Sequence, residues 1–215
     1  MNFTLAALSV SHISNSPLLS PANYKSKSFL SFENLQMHNF LTSFLNDQSI
    51  IAERNIINCN FVKFLNTPII VGGKYLYKRT VFKEFKYYDY DVITFIGCSF
   101  KNCIHTDPDG KSARGGAIMY KRENDDQVTG YLTLYSSTFD DCSAQNGDGG
   151  AIFVCKKEDQ TSYDPTHGMT TLFNSSYCCY SRCSVSSADG KDSQGYGPVM
   201  FIFAEQIELF YSSSV

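Results

Sequence analysis

The chain has 215 residues, of which 43% are hydrophobic and 18% charged, with a formal net charge of −3. Few charges and many aromatic residues exclude disorder along the whole chain, and the slightly acidic balance argues against a nucleic-acid partner. No segment approaches the roughly 18 apolar residues of a membrane-spanning helix, so no transmembrane segment is predicted. We therefore expect a folded domain that is long enough to bury a core.

Residues 1–28 are predicted to be a leader or a disordered segment. The first basic residue is Lys25, so the apolar run over residues 1–10 lacks the positively charged start of a secretory signal. Residues 11–28 are rich in Ser, Asn and Pro, a composition typical of loops. We assign residues 29–54 to an N-terminal cap and residues 55–215 to a series of repeats.

The repeats carry two alternating motifs. Copies of the first are residues 58–64 (NCNFVKF), 97–103 (GCSFKNC), 136–142 (SSTFDDC) and 175–183 (SSYCCYSRC). Positions 59, 98, 137 and 176 are 39 residues apart, although two extra residues follow the Ser pair in the last copy. The second motif is clear at residues 115–120 (GGAIMY) and 149–154 (GGAIFV), weaker at 72–77 (GGKYLY) and degenerate at 197–202 (GPVMFI).

These repeats predict a solenoid of strands. Each copy has short β-branched and aromatic runs bounded by Gly, Asn, Asp and Ser, without helical periodicity. One copy cannot bury its own apolar face, whereas copies stacked about 4.8 Å apart cover one another. We therefore predict an all-β, right-handed, single-stranded parallel β-helix of about four rungs. It is expected to be incomplete at the C-terminus, because a new copy begins at residue 207 and the chain stops.

In such a solenoid, equivalent residues of successive rungs stack in columns. We expect an internal aromatic column and a cysteine column that follows Phe64. The expected members are Phe61, Phe100, Phe139 and Tyr180 for the rings and Cys103, Cys142 and Cys183 for the thiols. The Gly-Gly pairs are expected at a corner that needs positive φ and a close backbone approach. These glycines are Gly115, Gly116, Gly149 and Gly150.

Eight cysteines suffice for four disulfides, but their spacings match neither a short disulfide framework nor a paired zinc-ligand pattern. Stacked rungs hold neighbouring Cβ vectors parallel, which is unfavourable for the S–S dihedral angle. We therefore predict mostly free, buried thiols, with disulfides as the alternative. The sequence predicts no metal site and no cofactor, and the cysteine count does not distinguish an oxidising from a reducing compartment.

The alternation of Gly-Gly-Ala-Ile at residues 115–118 and 149–152 with Phe-x-x-Cys at residues 100–103 and 139–142 resembles a known repeat. It is similar to that of the chlamydial-type polymorphic outer-membrane proteins and to repeats in large surface proteins of protists. The match covers about residues 55–215, with Cys where that family places Asn. The resemblance implies a parallel β-helix at a cell surface, or secreted, with a structural or adhesive role. We expect loops 105–114 and 121–130 to contact a protein or glycan partner there.

Two alternatives remain open. Parallel β-helices of the pectin lyase-like kind also host polysaccharide lyases and hydrolases, and Asp141 with Arg182 would be the catalytic candidates of such an enzyme. Their structural interpretation is two cross-strand charge pairs, Lys101–Asp140 and Asp141–Arg182. The other alternative is a kelch-like propeller, which an apolar strand before residues 72–73 suggests. The absence of Trp and a period below about 50 residues speak against it.

Overall fold

The computed structural model describes residues 2–6, 9–11, 19, 29–47, 53–71, 90–106, 113–121, 129–155, 171–186, 197–202, 204 and 206–214. These residues form an all-β structure without a helix. Every strand pairing among them is parallel. Within these ranges, no helix is long and apolar enough to cross a membrane.

The described strands lie in three parallel sheets. The first sheet contains, in order, β1 (Asn2–Ala6), β3 (Phe29–Glu33), β6 (Glu53–Ile57), β9 (Tyr90–Ile96), β12 (Thr129–Tyr135), β16 (Thr171–Ser176) and β20 (Gln206–Phe210). The second contains β2 (Ser9–Ser11), β4 (Gln36–Phe40), β7 (Asn60–Phe64), β10 (Ser99–His105), β13 (Thr138–Asp140), β17 (Cys179–Ser181) and β21 (Ser213–Ser214), and β10 also pairs with β14 (Ser143–Gln145), which pairs with β18 (Ser184–Ser186). The third contains β5 (Leu45–Asp47), β8 (Ile69–Val71), β11 (Ile118–Lys121), β15 (Ile152–Cys155) and β19 (Met200–Ile202).

The chain visits the three sheets in turn. β6, β7 and β8 lie in the first, second and third sheets, and β9, β10 and β11 pair with them in the same order. We call one such passage through the sheets a repeat unit. β3, β4 and β5 form the preceding unit, and β1 and β2 pair with β3 and β4. Segments assigned to the leader and the cap therefore contribute strands to the same sheets, while the division into three domains stays a prediction.

Residues with positive φ mark the corners of the backbone. Between the first and second sheets these residues are Asn34, Asn58, Gly97, Ser136, Tyr177 and Tyr211, with φ of 48–61°. A second series lies within β4, β7 and β10 and directly after β13 and β17, at Asn39, Lys63, Asn102, Asp141 and Arg182, with φ of 52–60°. Gly, Asn and Asp adopt this left-handed region most readily. The Asn-rich and Gly-rich boundaries of the repeat phrase are therefore corners of the backbone.

Buried residues from all three sheets form one core cluster. In the first sheet, Ile56, Phe95 and Leu134 are paired in register and fully buried. In the third, Ile69 and Ile118 are paired in the same way. Successive units therefore place apolar side chains of similar size on top of one another, which is how each unit buries the next.

The register overturns two alignments made from the sequence. Ser176 pairs with Tyr135, so the residue equivalent to Ser137 is Cys178 and the extra residues of that unit lie before β16. Ile69 pairs with Ile118, so residues 66–68, rather than the glycines at 72–73, correspond to residues 115–117. Residues 72–73 lie outside the described ranges. The parallel pairing also contradicts a propeller, whose blades are antiparallel.

Candidate functional site

The structure places the four predicted rings in one column on the second sheet. Phe61, Phe100, Phe139 and Tyr180 are paired in register, and the centroids of successive rings are 4.9 Å apart with planes within 15° of parallel. All four side chains are buried. This column packs the interior and offers no ring face to a ligand.

A thiol column runs beside the rings. Cys103 pairs with Phe64, and its Sγ donates to the carbonyl oxygen of Phe61 at 3.5 Å. The Sγ atoms of Cys142 and Cys183 make the equivalent bonds to the preceding units at 3.7 Å and 3.6 Å. A hydrogen bond with Cys103 and burial raise the pKa of Cys142, and a hydrogen bond with Cys142 and burial raise the pKa of Cys183. These groups therefore stay protonated thiols.

A second set of thiols lies just after the corner between the first and second sheets. Cys59, Cys98 and Cys178 are buried there, with Ser137 in the same series. The Sγ of Cys98 donates to the carbonyl oxygen of Ile56 at 3.1 Å. All eight cysteines are free in the structure. Among the described residues, no three His, Cys, Asp or Glu side chains are grouped as metal ligands would be.

The two glycines of each pair have different roles at the same corner. Gly115 and Gly149 have φ of 60° and 65°, the left-handed region that glycine enters without steric cost. A Cβ on Gly116 would lie 2.4 Å from the carbonyl oxygen of Gly150, and one on Gly150 would lie 2.1 Å from that of Pro198. The first glycine therefore permits the turn, and the second permits neighbouring backbones to approach.

The structure does not bring Asp141 and Arg182 together as a catalytic or charge pair. Arg182 binds Asp140 instead: Nη2 lies 2.7 Å from both carboxylate oxygens, and Nε donates to Oδ1 at 3.0 Å. The Nζ of Lys101 is 3.7 Å from the same carboxylate. Asp141 and Arg182 hold equivalent corner positions with φ of 55° and 53°. The longer Arg182 side chain reaches diagonally back, and its hydrogen bonds lower the pKa of Asp140.

Most of the two loops predicted to contact a partner, residues 107–112 and 122–128, lies outside the described ranges. The described base of the first loop is closed by His105, whose Nδ1 accepts a hydrogen bond from the Arg114 backbone N–H at 2.9 Å. The buried Thr67 hydroxyl donates to the Gly115 carbonyl oxygen at 2.7 Å. These contacts position the ends of the loop and assemble no reactive group.

An exposed aromatic cluster lies outside the corner between the first and second sheets. We call Tyr135, Tyr177, Phe210 and Tyr211 the aromatic corner. The side chains of Tyr135 and Tyr177 are 46% and 50% exposed, although strands of neighbouring units pair on both sides of them. Their ring centroids are 5.5 Å apart in an edge-to-face arrangement, and Tyr177 also stacks on Tyr211 at 5.5 Å.

Two rings of the aromatic corner come from strained positions. Tyr177 and Tyr211 have φ of 56° and 48°, where earlier units carry Asn34, Asn58, Gly97 and Ser136. The left-handed conformation costs an ordinary side chain about 1–2 kcal/mol, and such strain concentrates at functional sites. This surface was not predicted from the sequence. The available signal was a Tyr at a repeat position that holds Asn, Gly or Ser in the four preceding units.

We compared the chain with known proteins in three ways. A scan against protein-family models, a search of curated proteins and a search of solved structures each found no match.

Proposed function

We propose that the chain is a right-handed parallel β-helix that acts as a rigid, secreted or surface-exposed scaffold with a structural or adhesive role. The repeated passage through the three parallel sheets supports the solenoid. Its handedness follows from the rule that about 98% of connections between parallel strands of one sheet are right-handed. In this proposal the passages from β3 to β5, β6 to β8, β9 to β11, β12 to β15 and β16 to β19 are rungs.

The aromatic corner is the observation that carries the binding role. Tyr is enriched at protein interfaces because its ring is apolar and its hydroxyl can remain hydrated. A rigid scaffold also presents such rings with little loss of conformational entropy on binding. We propose that this surface binds a protein or glycan at a cell surface. The resemblance of the Gly-Gly-Ala-Ile and Phe-x-x-Cys motifs to bacterial and protist surface proteins supports that location.

The carbohydrate-active enzyme has no comparable support. Its candidate residues do not form a pair, because the Arg182 guanidinium binds Asp140. Asp141 stands at an exposed corner with no hydrogen-bonded partner that would orient it within the described residues. The geometry therefore favours a binding protein over a catalyst.

Two measurements test the proposal. Far-UV circular dichroism should give a β-rich spectrum without a helical contribution, since a substantial helical signal contradicts the solenoid. Binding of the fluorescently labelled chain to cells should be saturable and should fall in a Tyr135→Ser/Tyr177→Asn double variant, whose new residues occur at equivalent positions of other units. Ser136→Asn, at the corner position equivalent to Tyr177 in the neighbouring unit, is the matched control and should bind like the wild type. Equal binding of all three proteins would overturn the role of the aromatic corner.

A further inference from the structure

We infer that Asn174 is an acceptor for N-linked glycosylation, with its side-chain amide nitrogen, Nδ2, bonded to the first sugar of an oligosaccharide. This inference rests on the proposed secreted or surface-exposed location, because such glycans are attached along the secretory route. It assigns a covalent modification to the outer face of the first sheet.

The acceptor pattern lies within one strand of the first sheet. Residues 174–176 read Asn-Ser-Ser, which matches Asn-x-Ser/Thr, and they form the end of β16. Asn55 stands in the same row of an earlier unit as Asn174 but has no hydroxyl two residues later. In the row of Ser176 the preceding units carry Ile57, Ile96 and Tyr135. In these two rows, the asparagine and the hydroxyl therefore occur together at β16.

The Asn174 side chain lies on the outer face of β16. Side chains alternate between the two faces of a strand, and the flanking Phe173 and Ser175 are 1% and 0% exposed within the core. Asn174 is partly exposed, and its neighbours in register are Thr133 and Glu208. A glycan on Asn174 therefore extends away from the core and displaces no core side chain.

The hydrogen bonds of Asn174 are compatible with a bond to sugar. An amide nitrogen carries two hydrogens, and Nδ2 of Asn174 donates one of them to Glu208 Oε2 at 2.9 Å. The Ser176 hydroxyl donates to Oδ1 of the same amide at 2.8 Å. A glycosylated asparagine keeps one N–H and its carbonyl oxygen, so it retains both a donor and an acceptor. The hydroxyl that the acceptor pattern requires therefore lies beside the amide that would be modified.

The transfer requires a glycan donor of one chemical class, an oligosaccharide joined through pyrophosphate to a lipid. The bond between the anomeric carbon and the pyrophosphate oxygen breaks, and the lipid pyrophosphate leaves with the electron pair. Nδ2 of Asn174 forms the new bond to the anomeric carbon and loses one proton to a base of the transferase. The step is a substitution, so no oxidant or reductant takes part.

The test expresses the full chain behind a cleavable secretion signal in cultured insect cells. Peptide mass spectrometry reads the glycan on chain recovered from medium and lysate, after amidase release in heavy-oxygen water marks each modified asparagine. The Asn-Phe-Thr sequence at residues 2–4 matches the same pattern, and its peptide is read separately.

We expect a glycan at Asn174 in the wild type and its loss in Asn174→Gln. Ser176→Ala should also lose the glycan although it leaves the asparagine in place, because it removes the hydroxyl of the acceptor pattern. Ser176→Thr is the matched control and should keep the glycan. An unmodified Asn174 in both the wild type and Ser176→Thr, or a glycan that survives Ser176→Ala, would overturn the inference.

The cell-binding assay separates this inference from the proposed function. Asn174→Gln has no glycan at this position and should still bind cells through the aromatic corner. If Asn174 is unmodified in the wild type while cell binding is saturable and depends on Tyr135 and Tyr177, the inference fails and the proposed function stands. If Asn174 is modified on a chain that binds no cells, the acceptor site stands and the binding role fails.

Discussion

Replacing Phe139 by Ala tests the ring column at its best-packed point. The Phe139 ring is fully buried and lies between two others, with centroids 4.9 Å from both Phe100 and Tyr180 and planes 3° and 9° from parallel. Removing a buried Phe ring costs about 3–5 kcal/mol through lost transfer energy and the cavity left behind. Phe139 also makes two aromatic contacts, each contributing about 0.5–1.5 kcal/mol, so its loss should lie at the upper end of that range. We expect a loss of about 4–5 kcal/mol in the free energy of unfolding.

Urea unfolding followed by far-UV circular dichroism measures this loss. For a chain of this size each kcal/mol lowers the melting temperature by about 2–4 °C, so thermal unfolding should shift by roughly 10–20 °C. Phe139→Leu keeps most of the volume and should lose about 1–2 kcal/mol. Thr138→Ala, on the exposed side of the same strand, should change the free energy of unfolding by no more than about 0.5 kcal/mol. A loss below about 1 kcal/mol for Phe139→Ala would show that the ring is not packed between its neighbours.

Three further predictions concern the thiols, the glycine corner and the charge pair. A thiol reagent should modify Cys179 rapidly and Cys183 more slowly in the folded chain, and the six buried cysteines only after unfolding. Fewer than about two free thiols in denaturant would contradict the buried columns. Gly116→Ala should lose about 1–3 kcal/mol in the free energy of unfolding, because the added Cβ would meet the backbone of the next unit. The neighbouring Ala117→Gly adds no atom at this contact and therefore keeps the close approach. Equal melting temperatures of Gly116→Ala and the wild type would refute the tight contact. Because Arg182 lowers the pKa of Asp140, this carboxylate stabilises the fold above its unfolded pKa and loses that effect as the pH falls through its lower folded value. The small difference in urea midpoint between wild type and Asp140→Asn should therefore be present at pH 7 and shrink as the pH falls below the unfolded pKa of the carboxyl group. A difference that does not change with pH would count against the pair.

The interior columns could be predicted because parallel strands in register place equal residues at equal depths. The spacing of Phe61, Phe100 and Phe139 in the sequence therefore became a column of rings in space. Cys142 could be placed by the same argument, since it follows Phe139 at the distance that separates Cys103 from Phe100. A residue type that recurs at a fixed sequence distance from a buried Phe therefore predicts which residues stack, without any alignment of relatives.

The corners could be predicted only where glycine pairs mark them, because a corner requires a backbone conformation and several residue types can supply it. The unit of β8 has Thr67 where the next has Gly116, and the Thr67 hydroxyl donates to the Gly115 carbonyl oxygen. Aligning the glycines at residues 72–73 with Gly115 and Gly116 therefore misplaced the corner before β8 by several residues. Of the two predicted charge pairs, Lys101–Asp140 is present, with Nζ 3.7 Å from the carboxylate, and Asp141–Arg182 is not. Asp141 and Arg182 are equivalent in register, but the Arg182 guanidinium binds Asp140 instead.

Exchanges within one unit explain why the last ring of the column is a Tyr. Tyr180 follows three Phe rings, and its unit also has Ser175 where the preceding unit has Leu134. The two hydroxyl oxygens are 2.9 Å apart, and Ser175 is also 3.0 Å from the Ser212 hydroxyl. A buried hydroxyl without a partner would destabilise the core, so the two changes compensate each other only when they occur in the same unit. Inner positions can therefore vary in matched sets.

An outer corner position has no buried partner that must change with it, because its side chain lies at the surface. It is constrained by its own backbone, since only φ decides which residues are comfortable there. Asn58 and Gly97 satisfy that preference, and Tyr177 does not. The strain at Tyr177 is local and cannot be relieved by a matched exchange in the core. At Tyr177 a half-exposed ring therefore stands on a backbone conformation that disfavours it.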